Sequence, residues 1–67
     1  MIYAQNLLTI HNDLSNYKVS IYDLSGKTIV NASNLKNYNF SDFKNGIYIV
    51  TLTLKSGERK TIKVVKL

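Results

Sequence analysis

The residues that could do chemistry in this chain are four carboxylates, one histidine and nine cations. Acid–base catalysis would need two of Asp13, Asp23, Asp42 and Glu58 in one cleft, one giving a proton and one taking it. Asp13, Asp23 and Glu58 fall in turn-like stretches, and Asp42 lies beside a glycine turn. Their spacing gives no reason for two of them to meet. His11 has neither a recognisable nucleophile nor an orienting partner, as a triad would need. A structural zinc would take a Cys/His cluster, and the chain has no Cys. The three glycines are far apart and make no phosphate-cradling loop. Neither an enzyme nor a cofactor is expected.

The cations set a second question. A net charge of +5 suits a nucleic acid or an anionic surface, or simply keeps the chain soluble. The lysines are spread along the chain, and only Arg59, Lys60, Lys63 and Lys66 are locally dense. Tyr3, Tyr17, Tyr22, Tyr38 and Tyr48 alternate with lysines, as in surfaces that stack bases or sugars. Equally, such rings bury their bodies and leave the hydroxyl wet. Solubility is the simpler reading, and no nucleic-acid partner is expected. A small binding or adhesion module for carbohydrate or protein is an alternative reading of these tyrosines on a β scaffold.

The element most clearly written is Gly46-Ile47-Tyr48-Ile49-Val50-Thr51-Leu52-Thr53-Leu54, a strand with Tyr48, Val50, Leu52 and Leu54 on its core face. After it, a two-residue loop Ser56-Gly57 would set Val50 opposite Lys63. A three-residue loop Lys55-Ser56-Gly57 sets Val50 opposite Ile62 and Tyr48 opposite Val64. A one-residue slip exchanges the faces of a strand, so the apolar pattern selects the second, with Gly57 at positive φ.

Sixty-seven residues make one small domain that buries only about 60% of its unfolded surface. Met1 to Asn6 reads as a short strand ending in a polar turn, and Leu7 to His11 as a second strand. Residues 11–16 form a loop, and Tyr17 to Asp23 a third strand. Asp23-Leu24-Ser25-Gly26-Lys27 repeats the later turn and pairs Ile21 with Ile29 across it. Thr28 to Val30 returns, and Asn-rich 31–39 is a long connection with a short strand at 38–40. A helix over 34–44 is the alternative for this interval. Phe40 and Phe43 plug one end of the core. Up to seven short strands make an all-β sandwich. No stretch approaches the roughly 18 apolar residues of a helical membrane span. Met1 runs at once into strand-like sequence, so no signal peptide is expected. Met1 is read as an expression start, with 1–67 a single domain excised from a larger secreted protein.

The last strand, Lys60-Thr61-Ile62-Lys63-Val64-Val65-Lys66-Leu67, places Ile62 and Val64 inward and Thr61, Lys63 and Val65 outward. Exposed lysines protect an edge from pairing, and they also suit a tag that a receptor can reach. A homodimer through strand edges is a further expectation.

Three pieces coincide in order: Lys18 to Lys27 with its Asp-x-x-Gly turn, Asn45-Gly46-Ile47-Tyr48-Ile49-Val50, and the basic final strand. Together they resemble the type A C-terminal sorting domain of type IX secretion cargo. The resemblance implies an immunoglobulin-like β-sandwich of about seven antiparallel strands that directs an N-terminal cargo domain from the periplasm through an outer-membrane translocon. A sortase-like protease then removes the domain and the cargo is attached at the cell surface. It assigns Asp23, Gly26 and Lys27 to the hairpin turn, and Gly46 and Tyr48 to the Gly-x-Tyr strand, with Gly57 a further structural turn. Lys60, Lys63, Val64, Val65, Lys66 and Leu67 become candidates for translocon recognition. Many members open with an Asn-Pro strand; this chain has no Pro.

Overall fold

The computed structural model describes residues 1–10 and 16–67. The loop expected at 11–16, with His11 and Asp13, lies almost wholly outside the described residues. Seven strands follow in order: β1 (Ile2–Ala4), β2 (Leu7–Thr9), β3 (Lys18–Asp23), β4 (Thr28–Ser33), β5 (Asn37–Asn39), β6 (Gly46–Thr53) and β7 (Arg59–Lys66). They form two antiparallel sheets, β1-β2-β5 and β4-β3-β6-β7. This order is that of an immunoglobulin-like sandwich, with β3, β6 and β7 as its C, F and G strands. No described residue is helical, which removes the helix alternative at 34–44.

The core lies between the sheets. In the smaller sheet, Tyr3, Leu8 and Tyr38 form one inward row. The larger sheet answers with Val19 and Ile21 from β3, Tyr48, Val50 and Leu52 from β6, and Val64 from β7. Phe40 is wholly buried and touches four rings: Tyr3, Tyr38, Phe43 and Tyr48, at centroid distances of 4.8–5.9 Å. The plug expected of Phe40 and Phe43 is therefore an aromatic cluster at one end of the sandwich.

The β6–β7 hairpin has the expected register: Val50 faces Ile62, Tyr48 faces Val64 and Thr51 faces Thr61. Its loop closes with Gly57 N–H donating to the Leu54 carbonyl at 2.9 Å, and Gly57 sits at φ +94°. A side chain there has open space but an unfavourable backbone. Gly57→Val should cost roughly 1–3 kcal/mol of stability. Urea denaturation checks this; an unchanged midpoint would refute the strain.

The β3–β4 hairpin departs from expectation. Its turn is the three-residue one, with Tyr22 opposite Thr28, but a bulge then sets Ile21 opposite Val30 rather than Ile29. An unbroken register would have turned Asn31 inward against Val19. The extra residue puts Ala32 there instead and leaves Asn31 outward, opposite Ser20. Ile29, the residue displaced, is exposed. The long connection read over 31–39 is corrected too. Strand β4 runs on to Ser33, because its Asn and Ser residues face solvent and leave the backbone free to pair. It ends at Asn34, in the left-handed region at φ +58°. The Asn34 Oδ1 accepts the backbone N–H groups of Asn16 and Tyr17 at 2.9 and 3.1 Å. The short strand near Tyr38 is present one residue earlier than expected, at Asn37–Asn39.

Candidate recognition surface

Asp23 closes β3 and organises the turn after it. Its Oδ1 accepts the Ser25 hydroxyl at 2.6 Å and the N–H groups of Ser25 and Lys27 at 3.0 Å each. The main chain adds Gly26 N–H to the Asp23 carbonyl at 3.1 Å. The Ser25 hydroxyl above all, then the Lys27 and Ser25 N–H groups and the Lys27 charge, hold the Asp23 carboxyl below its ordinary value, against the opposite pull of desolvation. A depressed carboxyl contributes stability that is full above the unfolded value near 3.8 and lost as pH falls through the folded one. Asp23→Asn keeps the shape and cannot ionise. Melting temperatures below pH 3.8 should therefore fall more steeply for the natural chain than for this variant. Parallel curves would exclude the linkage.

Tyr48 stands beside that turn, since Asp23 and Tyr48 are register partners across β3 and β6. Gly46 opens β6 at φ +153°, a region that favours glycine, and leads the chain from the 41–45 turn into the strand. The Tyr48 ring packs on Phe40 and Phe43, and its hydroxyl donates to the Lys44 carbonyl at 2.6 Å. A tyrosine near the start of the F strand that bonds back to its own upstream backbone is the tyrosine corner of such sandwiches. The Asp-x-x-Gly turn and the Gly-x-Tyr strand are thus one joined structure at one end of the larger sheet.

The structure also brings Asp23 and Asp42 to one open hollow, with Lys27, Lys44, Phe43 and Tyr48 around it. The spacing of the acids did not suggest this. A general acid needs a raised pKa, whereas Asp23 is held ionised by its donors. Among the described residues no three His, Cys, Asp or Glu side chains gather as metal ligands. The tyrosines also turn inward. Tyr17 is buried, donates to the Leu35 carbonyl at 2.7 Å, and carries the Lys36 ammonium 5.8 Å from its ring centroid. Tyr3 and Tyr38 face the core. Only Tyr22 has its place on the outer face of its sheet.

Strand β7 is an edge strand of its sheet, paired among the described residues with β6 alone. Lys60 and Lys63 are exposed, as are Val65 and, at 88%, Leu67. Val64 is 2% exposed and belongs to the core. Lys66 is not among the exposed lysines: it is only 9% exposed, with its ammonium 3.3 Å from Asn45 Oδ1. It shares the inward parity of Ile62 and Val64, so its stem lies along the sandwich while its head reaches a polar partner. Asn45 and Asn34 are the two holding residues that sequence reasoning passed over. The only signal was an Asn at a strand end.

The model of the secretion system C-terminal sorting domain family matches residues 4–66. The chain belongs to that family. No curated protein and no solved structure matches it. A sorting domain of this kind is the C-terminal signal of type IX secretion, and its family is not one of enzymes. It implies a cargo protein on its N-terminal side, secretion machinery as its partner, and export to the cell surface or beyond. The all-β sandwich and the three sequence motifs agree with this membership.

Proposed function

We propose that this sorting domain carries its cargo from the periplasm through the outer-membrane translocon, and that its terminal strand is what the translocon reads. A sortase-like protease then removes the domain and attaches the cargo at the surface. In this reading residues 1–67 are one domain cut from a larger secreted protein, with no catalytic role and no cofactor. The observation that supports it is the division of labour within β7. Val64 and Lys66 hold the strand down, while Lys60, Lys63 and Val65 on this edge strand, and Leu67 just after it, stand open. An incoming strand or groove could reach these four without unfolding the sandwich.

The test is a reporter bearing the intact domain at its C-terminus, in a host that has the secretion system. Surface reporter is scored by accessibility to added protease. The natural domain should bring the reporter out, and Lys60→Gln with Lys63→Gln should reduce export with an unchanged melt. A folded natural fusion that stays in the periplasm would overturn the function. Equal export by the lysine variant would move recognition off these cations.

A further inference from the structure

The outer face of the larger sheet is divided into two halves. Register places its side chains in rows across the four strands. One row is Ser33, Lys18, Thr53 and Arg59, and the next is Asn31, Ser20, Thr51 and Thr61. Both rows are wholly polar, as a solvent face should be. The following row contains Tyr22, Ile49 and Lys63, and the last pairs Ile47 with Val65. Tyr22, Ile47 and Ile49 are partly buried, each keeping some exposed surface, and Val65 is 50% exposed. Exposed Leu24 and Leu67 lie at the same end of the sheet. Single exposed apolar side chains mean little, but a contiguous group on an otherwise polar face marks a contact surface.

Charge says what kind of contact. The face carries three cations, Lys18, Arg59 and Lys63, and no carboxylate at any of its positions. Asp23, Asp42 and Glu58, the described acids, all lie in turns or at a strand end. Two copies meeting through this face would oppose cation to cation, in a chain that already carries +5. Self-association is therefore disfavoured, and an apolar surface rimmed by carboxylates is the complementary partner.

We propose that Tyr22, Ile47, Ile49 and Val65, rimmed by Lys63, form a docking face for an acidic-rimmed apolar surface on the secretion machinery. This rests on the terminal-strand reading above and extends it: recognition includes β3 and β6, and Val65 belongs to both surfaces. The apolar residues provide the adhesion, and the cations orient the approach.

The test uses the same reporter fusion with the triple variant Ile47→Thr, Ile49→Thr, Val65→Thr. Threonine keeps the β-branched shape suited to a strand and removes the apolar surface. Surface export should fall at least about tenfold, the scale of losing central contacts. The single variant Val65→Thr should fall in the same direction, and serves if the triple melts below the growth temperature. A matched control, Ile2→Thr with Leu7→Thr, removes exposed apolar groups from the other sheet and should export normally. Lys63→Glu should also reduce export, by opposing the acidic rim. If the natural domain exports its reporter and the folded face variants export equally well, the docking face is refuted while the sorting function stands. If nothing is exported, the sorting function itself fails and the docking face fails with it. Sedimentation of the isolated chain that shows a dimer, dissolved by the triple variant, would overturn the acidic partner in favour of a second copy.

Discussion

Phe40→Ala is expected to remove about a third or more of the stability of this domain. Phe40 is wholly buried at the crossing of four other rings, so truncation leaves a cavity that the flanking strands cannot fill. Such changes cost about 3–5 kcal/mol. A chain of 67 residues has only about 3–10 kcal/mol in total, at the usual stability per residue. The melting temperature should fall by about 15 °C or more. Circular dichroism on heating measures it, and a melt within a few degrees of the natural chain would show that the cluster is not central. Phe43→Ala should cost less, because Phe43 is only partly buried.

Deleting residues 63–67 should abolish the cooperative melt, whereas deleting Leu67 alone should change stability by no more than about 0.5 kcal/mol. The longer deletion removes Val64, whose burial contributes about 1.5–3 kcal/mol. It also strips the pairing partners from Gly46, Ile47, Tyr48 and Ile49, and so exposes the tyrosine corner. A cooperative, native-like melt of the 62-residue remainder would contradict this. The consequence reaches function: lost export on such a truncation would report unfolding, not a missing signal. Substitutions at Lys60, Lys63 and Val65, which leave the ladder intact, separate the two.

Much was legible in the residues. The β6–β7 register followed from apolar matching alone, since only one alignment of these strands keeps Val50, Ile62, Tyr48 and Val64 on one face. The aromatic plug was legible because Phe40 and Phe43 stand where a strand-poor stretch must close a core. The β3–β4 register was not. Turn chemistry at Asp23 and Gly26 was read correctly, but a bulge is a global compromise: it keeps Asn31 out of a core whose position local pattern does not reveal. The polar run of β4 looked like a loop for a related reason. On an edge strand with a wet face, Asn and Ser cost little, and composition cannot tell such a strand from a connection.

The site divides in the same way. By itself the sequence determined the three motifs, the alternation along β7 and the lack of any Cys for a disulfide or a Cys/His cluster, because these depend on residue type and short spacing. The tertiary structure alone decided that the Asp turn and the Gly-x-Tyr strand adjoin, that Lys66 is folded in against Asn45, and that Tyr22, Ile49 and Val65 share one end of a face. Those facts depend on which strands lie side by side. Strand order is set by how the whole core closes, and no local stretch of the chain contains that information.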